Sequence, residues 1–203
     1  MRWNKKYKKF TLASFLLGGH FNPKVLYLTY KAEQLIDYES FKKINNKFEN
    51  NKSDYTKYLD VPCHLARAFY YAKMLNLHKK KGLHILDLGS GAGYFPYATN
   101  FLGHNSVALD MQENELYNLM KKLLNVKCHF RKILPFKPLG GIKKKFDLIT
   151  SFQTLYDTTG NNNYWGNKEW TFFILMLKKK YLKPQGRFFL QMNTVQTENL
   201  KQY

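Results

Sequence analysis

Between residues 84 and 192, short apolar runs alternate with amphipathic stretches. This is the pattern of strands separated by helices. His84–Leu88, Ser106–Asp110, Val126–Phe130, Phe146–Ser151 and Arg187–Met192 predict five strands. Tyr94–Leu102, closed by Gly103, Glu113–Leu124 and Asn167–Tyr181, stopped before Pro184, predict helices between them. Residues 131–145 hold Pro135, Pro138, Gly140 and Gly141 and predict a loop with at most one helical turn. Strands that are apolar along their length imply a parallel sheet covered on both faces. Ahead of residue 83 the rhythm is helical. Tyr30–Phe48 carries Leu35, Ile36, Tyr38, Phe41, Ile44 and Phe48 near a 3.6-residue period, which predicts one helix. A second runs from Pro62 to Leu77, with Leu65, Ala68, Phe69, Ala72 and Leu75 as its buried stripe. Asp60 is its cap, and Pro62 suits its first turn. The expected organisation is a helical cap over residues 1–82 and an α/β core over residues 83–203, with Lys79–Gly82 as linker.

Composition narrows the class. The chain has 203 residues, 44% hydrophobic, 17% aromatic and 23% charged, which excludes a disordered or low-complexity chain. The longest apolar run, Phe172–Leu177, falls far short of the roughly 18–20 residues that span a bilayer, so no membrane segment is expected. Basic residues open the chain, but no small-residue cleavage site follows Thr11–Leu17, so secretion is not expected. Cys63 and Cys128 make neither a disulfide framework nor a metal cluster. The expectation is a cytoplasmic protein without a metal site. The net charge is +19, but only Arg2, Arg67, Arg131 and Arg187 are arginines. Lysine with abundant Asn, Tyr, Phe and Ile is what an AT-rich genome writes, and this reading is favoured over attraction to a polyanion.

The most informative segment is Asp87-Leu-Gly89-Ser90-Gly91-Ala-Gly93-Tyr94-Phe95, which follows a strand and opens a helix. Glycines there allow a tight turn and close approach of a ligand to the backbone. A dinucleotide motif would place its third glycine at position 94, where Tyr94 stands, and no Lys-Ser/Thr follows as in a phosphate loop. Asp87, two residues before the first glycine, would repel a pyrophosphate and suits a ligand bearing an ammonium group. The bland alternative is a glycine turn that merely packs a helix on a strand. Asp110 ends the second strand 21 residues after Gly89, a spacing at which a carboxylate can accept from both ribose hydroxyls.

These residues resemble the S-adenosylmethionine-binding motif of the class I methyltransferases, over about residues 55–193. Phe146–Asp157 looks like the family's fourth strand and the loop beside the reactive methyl, and Leu182–Leu190 like its turn into strand five. The resemblance implies a Rossmann-like doubly wound, mostly parallel sheet of order 3-2-1-4-5, with the last hairpin truncated and an N-terminal helical lid. It implies S-adenosyl-L-methionine as cofactor and S-adenosyl-L-homocysteine as product. Asp87 would lie near the methionine part, and Gly89, Ser90, Gly91, Gly93, Tyr94 and Phe95 would line the cofactor. Asp110 would hold the ribose and Met111 would pack on adenine. Leu134 would offer backbone groups to the base, and Ser151, Phe152 and Gln153 would stand beside the methyl. Where many relatives carry an acid for the adenine amino group, this chain has Arg131, Lys132, Ile133 and Leu134.

Methyl transfer from a sulfonium is an in-line displacement in which orientation matters most and a general base is optional. Candidate bases are Tyr156, Asp157 and Tyr164, with His20 and His64 on the N-terminal segment. No Asp/Asn-Pro-Pro-aromatic motif follows the fourth strand, which argues against amino methylation of nucleic-acid bases. The leading reading is methyl transfer to a small molecule held under an aromatic lid. The alternatives are transfer to RNA or another polyanion, and a non-catalytic binding module. Only 11 residues follow Met192, so the fifth strand is expected at a sheet edge, where a charge, a covering segment near Thr11–Tyr30 or an edge-strand dimer would protect it.

Overall fold

The computed structural model describes residues 22–51, 53–157 and 163–192. Thr11–Phe21 of the suggested covering segment and His20 lie outside them. The elements in chain order are α1 (Pro23–Glu33), α2 (Tyr38–Phe48), a 3-10 turn (Asp54–Leu59) and α3 (Val61–Met74). There follow a second 3-10 turn (Leu77–Lys79), β1 (His84–Leu88), α4 (Tyr94–Phe101), β2 (Asn105–Asp110), α5 (Glu115–Leu123) and β3 (Cys128–Phe130). The chain continues with β4 (Phe146–Phe152), α6 (Asn167–Met176), a π turn (Leu177–Tyr181) and β5 (Leu182–Gln191). The strands form one parallel sheet of order β3-β2-β1-β4-β5, the expected Rossmann-like topology. Residues 131–145 carry no helix.

Two compact units share the chain. One gathers residues up to Lys81 with Ala92–His104 and Asn114–Val126, and the other takes Gly82–Gly91, Asn105–Glu113 and Lys127 onward. In this division α4 and α5 group with the N-terminal helices. Within the helical unit the Tyr97 hydroxyl donates to the Ala32 carbonyl at 2.8 Å, and Phe69 meets Phe101 edge to face at 5.6 Å. Lys47 pairs with Glu115. Within the sheet unit, Leu86, Leu88, Leu109 and Ile149 are fully buried beside Trp165, Phe173 and Leu177. Full burial of one such side chain contributes about 1.5–3 kcal/mol.

Three expectations need correction. The single helix over Tyr30–Phe48 is two, because the Asp37 carboxylate accepts from the backbone N–H groups of Glu39 and Ser40 and starts a new helix at Tyr38. Leu35, counted in the apolar stripe, is 71% exposed in the connecting turn. The long helix to Tyr181 ends at Met176 and closes with the π turn. Strand five begins at Leu182, not Arg187. Lys183–Gly186 fit because the β4–β5 register shifts between Phe146 and Leu148. Lys183, Pro184 and Arg187 then stand on the edge strand, the residue types that discourage further pairing.

Candidate functional site

The sheet unit carries a cavity of about 290 Å³ at the carboxyl ends of its central strands. Its wall includes Gly89 after β1, Asp110 and Met111 at the end of β2, Arg131–Ile133 after β3, and Thr154–Asp157 after β4. In a parallel sheet this is the end where ligands bind, because loops of neighbouring strands diverge there.

The first wall is the glycine turn. Gly89 has φ +64° and its N–H donates to the Leu109 carbonyl at 2.8 Å, tying the turn to β2. A Cβ at Gly89 would come within 2.3 Å of the Thr154 Oγ1. The bare backbone at this position therefore serves the loop after β4 as well as the cavity. Gly89→Ala is expected to destabilise the fold by about 1–2 kcal/mol through strained φ and overpacking. Thr154→Ala in the same chain should recover part of that loss in urea unfolding. Equal stability of Gly89→Ala and the parent would reject this steric account. Ser90 follows, with its Oγ buried and without a hydrogen-bond partner among the described residues. A buried orphan hydroxyl costs roughly 1–3 kcal/mol, which a polar ligand would offset. Gly91 takes φ +54°.

The remaining predicted loop residues lie in the helical unit. Gly93 has φ +84°, and a Cβ there would meet the Lys121 Cγ at 2.9 Å. Tyr94 is buried, its hydroxyl donating to the Tyr58 carbonyl at 2.6 Å and its ring stacked on His64 at 5.2 Å. Phe95 is buried as well. Tyr94 and Phe95, expected to line a cofactor, pack within their own unit and do not line this cavity. Desolvation pushes the His64 imidazole down to about 4, so it stays neutral at physiological pH. Its Nε2 lies 3.0 Å from the Lys57 carbonyl oxygen.

Asp87 is 3% exposed, and its Oδ1 accepts from the Thr150 hydroxyl at 2.7 Å. Burial pushes its carboxyl up to about 7, the Thr150 bond opposes this, and the Asp110 charge adds to it. Asp110 is half-buried at the cavity wall, with Oδ1 accepting from the Met111 N–H at 2.9 Å. The Met111 side chain is exposed beside it.

The loop after β4 differs most from expectation. Ser151, Phe152 and Gln153 do not line the cavity, whereas Thr154, Leu155, Tyr156 and Asp157 do. Ser151 is fully buried, Phe152 is half-buried, and Gln153 is exposed with φ +55°. One chain of hydroxyls organises the turn. The Tyr156 hydroxyl donates to Ser151 Oγ (2.8 Å), Ser151 to Thr154 Oγ1 (3.0 Å) and Thr154 to the Leu88 carbonyl (3.0 Å). Tyr156 is 2% exposed, packed on Trp165, Trp170 and Phe173, and burial drives its phenol pKa far above neutrality. Tyr156, a candidate base by sequence, uses its hydroxyl as a donor here, and the residue lines the cavity. Asp157 lines the cavity and forms an antiparallel bridge with Tyr164, while its carbonyl accepts from the Trp165 indole at 3.1 Å. Tyr164 does not line the cavity. Leu134 does not either, and Arg131, Lys132 and Ile133 take the place expected of it.

Sequence comparison decides the family. A family model described as a methyltransferase domain matches residues 79–202. The chain belongs to the class I S-adenosylmethionine-dependent methyltransferases. No curated protein sequence matches it. Among solved structures, coclaurine N-methyltransferase bound to N-methylheliamine and S-adenosylhomocysteine is 16% identical, with 92% of this chain and 58% of that one covered and a TM-score of 0.48. The ribosomal protein L11 methylase of Lactobacillus delbrueckii subsp. bulgaricus is 19% identical, covering 68% and 66%, with a TM-score of 0.43. The PH0226 protein of Pyrococcus horikoshii OT3 is 20% identical, covering 63% and 57%, with a TM-score of 0.46. The chain spans between half and two thirds of the length of these structures. No helix among the described residues is long and apolar enough to cross a membrane.

The methyltransferase cofactor is S-adenosylmethionine, and the residues present suit it. An orphan Ser90 hydroxyl, the Asp110 carboxylate at a strand end and the apolar Met111 and Ile133 offer polar and apolar contacts of the kind a nucleoside needs.

Proposed function

We propose that this domain transfers a methyl group from S-adenosylmethionine to a small-molecule acceptor. The observation that carries this reading is the cavity bounded by Gly89, Asp110 and Thr154–Asp157, with the orphan Ser90 hydroxyl in the glycine turn. Bound there, the cofactor supplies a methyl already activated on a sulfonium, so the protein contributes mainly orientation and exclusion of water. In this reading Asp110 accepts from the ribose hydroxyls, and Ser90 and the N–H groups of the glycine turn bind polar atoms of the cofactor. Asp87 sets the field beside its positively charged half. Asp157 remains the candidate to receive a proton from the acceptor, because it lines the cavity, while burial pushes the Tyr156 phenol pKa up. Tyr55 and Tyr58, which meet Tyr117 edge to face at 5.4 and 5.0 Å, belong in this reading to the N-terminal lid.

Isothermal titration with S-adenosylhomocysteine and S-adenosylmethionine tests the reading. Saturable one-site binding in the micromolar range is expected. Absence of heat and of any thermal shift at millimolar nucleoside would leave a binding module of another kind.

A further inference from the structure

We propose that the loop between β3 and β4, together with the π turn after α6, forms a docking surface for single-stranded nucleic acid. The surface lies wholly in the sheet unit. It goes beyond the methyl-transfer reading, and its test needs no cofactor.

Two lysine clusters distant in sequence meet here. From Arg131 to Lys145 the chain carries six basic residues and no acid, and the π turn adds Lys178, Lys179 and Lys180. The Lys145 Nζ donates to the Lys179 carbonyl at 3.3 Å, and the Tyr181 hydroxyl donates to the Leu139 carbonyl at 2.8 Å. These two bonds fix the loop against the turn. Lys143–Lys145 and Lys178–Lys180 therefore stand together, and all six are exposed. The three acids between Lys127 and Met192 are engaged elsewhere. Asp147 pairs with Lys183 at 2.8 Å, Glu169 accepts from the Gly166 N–H at 2.9 Å, and Asp157 lines the cavity. Like charges gathered without a counter-charge repel one another, and a bound polyanion removes that repulsion. An AT-rich genome sets how many lysines a chain carries, not where the fold collects them.

An aromatic ring stands in the same loop. Phe136 is 51% exposed and holds φ +56°, a left-handed conformation that a bulky side chain rarely adopts. Its ring meets the half-buried Phe172 of α6 at 5.7 Å. Backbone strain held at a ring that stays in water points to recognition.

The chemistry selects the partner. Lysine ammoniums are point charges that neutralise phosphates without reading a sequence. An exposed ring offers a face on which an unpaired base can stack. A duplex hides its base faces in its own stack, whereas a single strand presents phosphates and base faces together.

Fluorescence anisotropy of a labelled oligouridylate of about 12 nucleotides, titrated with the full chain, tests this. Binding should saturate and weaken steeply with salt, because each neutralised phosphate of a single strand contributes about −0.7 to the slope of log K against log salt. Lys143→Gln/Lys144→Gln/Lys178→Gln should make that slope shallower by about 2. Lys31→Gln/Lys42→Gln/Lys80→Gln, an equal loss of charge in the helical unit, should change it by less than half as much. Phe136→Gly removes the ring and suits the left-handed backbone, so it should bind about fivefold weaker or more without melting lower. Equal slopes in the two triple variants overturn the surface, because the charge of the whole chain then suffices. Parent-like affinity of Phe136→Gly, or duplex RNA of the same length bound as tightly, overturns the single strand as its occupant. Absence of oligouridylate binding overturns the proposal outright, and capture of phosphatidylserine vesicles by the same chain would then assign the lysines to an anionic lipid surface.

Discussion

Asp110→Ala should weaken S-adenosylhomocysteine binding by about 1.5–3 kcal/mol, roughly 10- to 150-fold in Kd, while leaving the fold intact. The carboxylate ends β2 beside the cavity. One oxygen accepts from the Met111 N–H, so the side chain is aimed before any ligand arrives. Two ribose hydroxyls donating to one carboxylate are charge-assisted bonds, and removing the acceptor forfeits both. Asp110→Asn is the sharper probe. It keeps the shape and one acceptor, so its loss should fall between parent and alanine. Calorimetry at fixed salt measures both. Parent-like affinity in the alanine variant would show that the ribose lies elsewhere.

The second expected result concerns Asp87. Burial raises its carboxyl from 3.8 to about 7, which corresponds to a stability difference on the order of 4 kcal/mol. The folded protein keeps a proton that the unfolded chain releases between about pH 4 and 7. Stability contributed by this group therefore falls as pH rises through that window and stays low above it. Asp87→Asn cannot ionise, and its carboxamide oxygen can still accept from Thr150. The variant should gain up to that amount of unfolding free energy at pH 8, with no gain near pH 4. Urea unfolding across pH 4.5–8.5 reads this directly. A variant less stable than the parent at pH 8 would mean that the buried carboxylate is already compensated. A cation placed beside Asp87 would favour the ionised form, so affinity for the positively charged cofactor should rise with pH up to about 7 and then level. Asp87→Asn should flatten that profile.

The parts of the molecule written in local pattern were legible from sequence. β1, β2 and β4 are short apolar runs ended by Gly or polar residues, and a parallel sheet needs nothing more to be recognised. Asp110 and the glycine turn were found because spacing and strand context alone restrict them. The split between α1 and α2 was hidden because Leu35 and Ile36 continue the apolar period across the cap at Asp37. Its signal was Asp37 with Ser40 three residues on, a cap within an apolar stripe. β5 was cut short because Pro184 and Gly186 read as a turn, yet an edge strand with a register shift tolerates both. The cavity wall was harder. Thr154 and Leu155 are ordinary residues in a loop, and only the folded chain reveals that Thr154 lies over Gly89. Tyr156 reads in sequence as a polar aromatic suited to a base, but its neighbours Trp165, Trp170 and Phe173, which decide its environment, lie 9–17 residues further along the chain. Which segments join which unit depends on long-range packing that no local window contains.

The hydroxyl chain from Tyr156 through Ser151 and Thr154 to the Leu88 carbonyl has a further consequence. Each hydroxyl spends its single hydrogen on the next, so the row has one polarity and terminates on β1. Displacing any member leaves a sheltered oxygen or hydrogen stranded. The floor of the crevice is therefore latched to the central strand before a guest arrives, and adaptation to differently shaped guests falls to the rim.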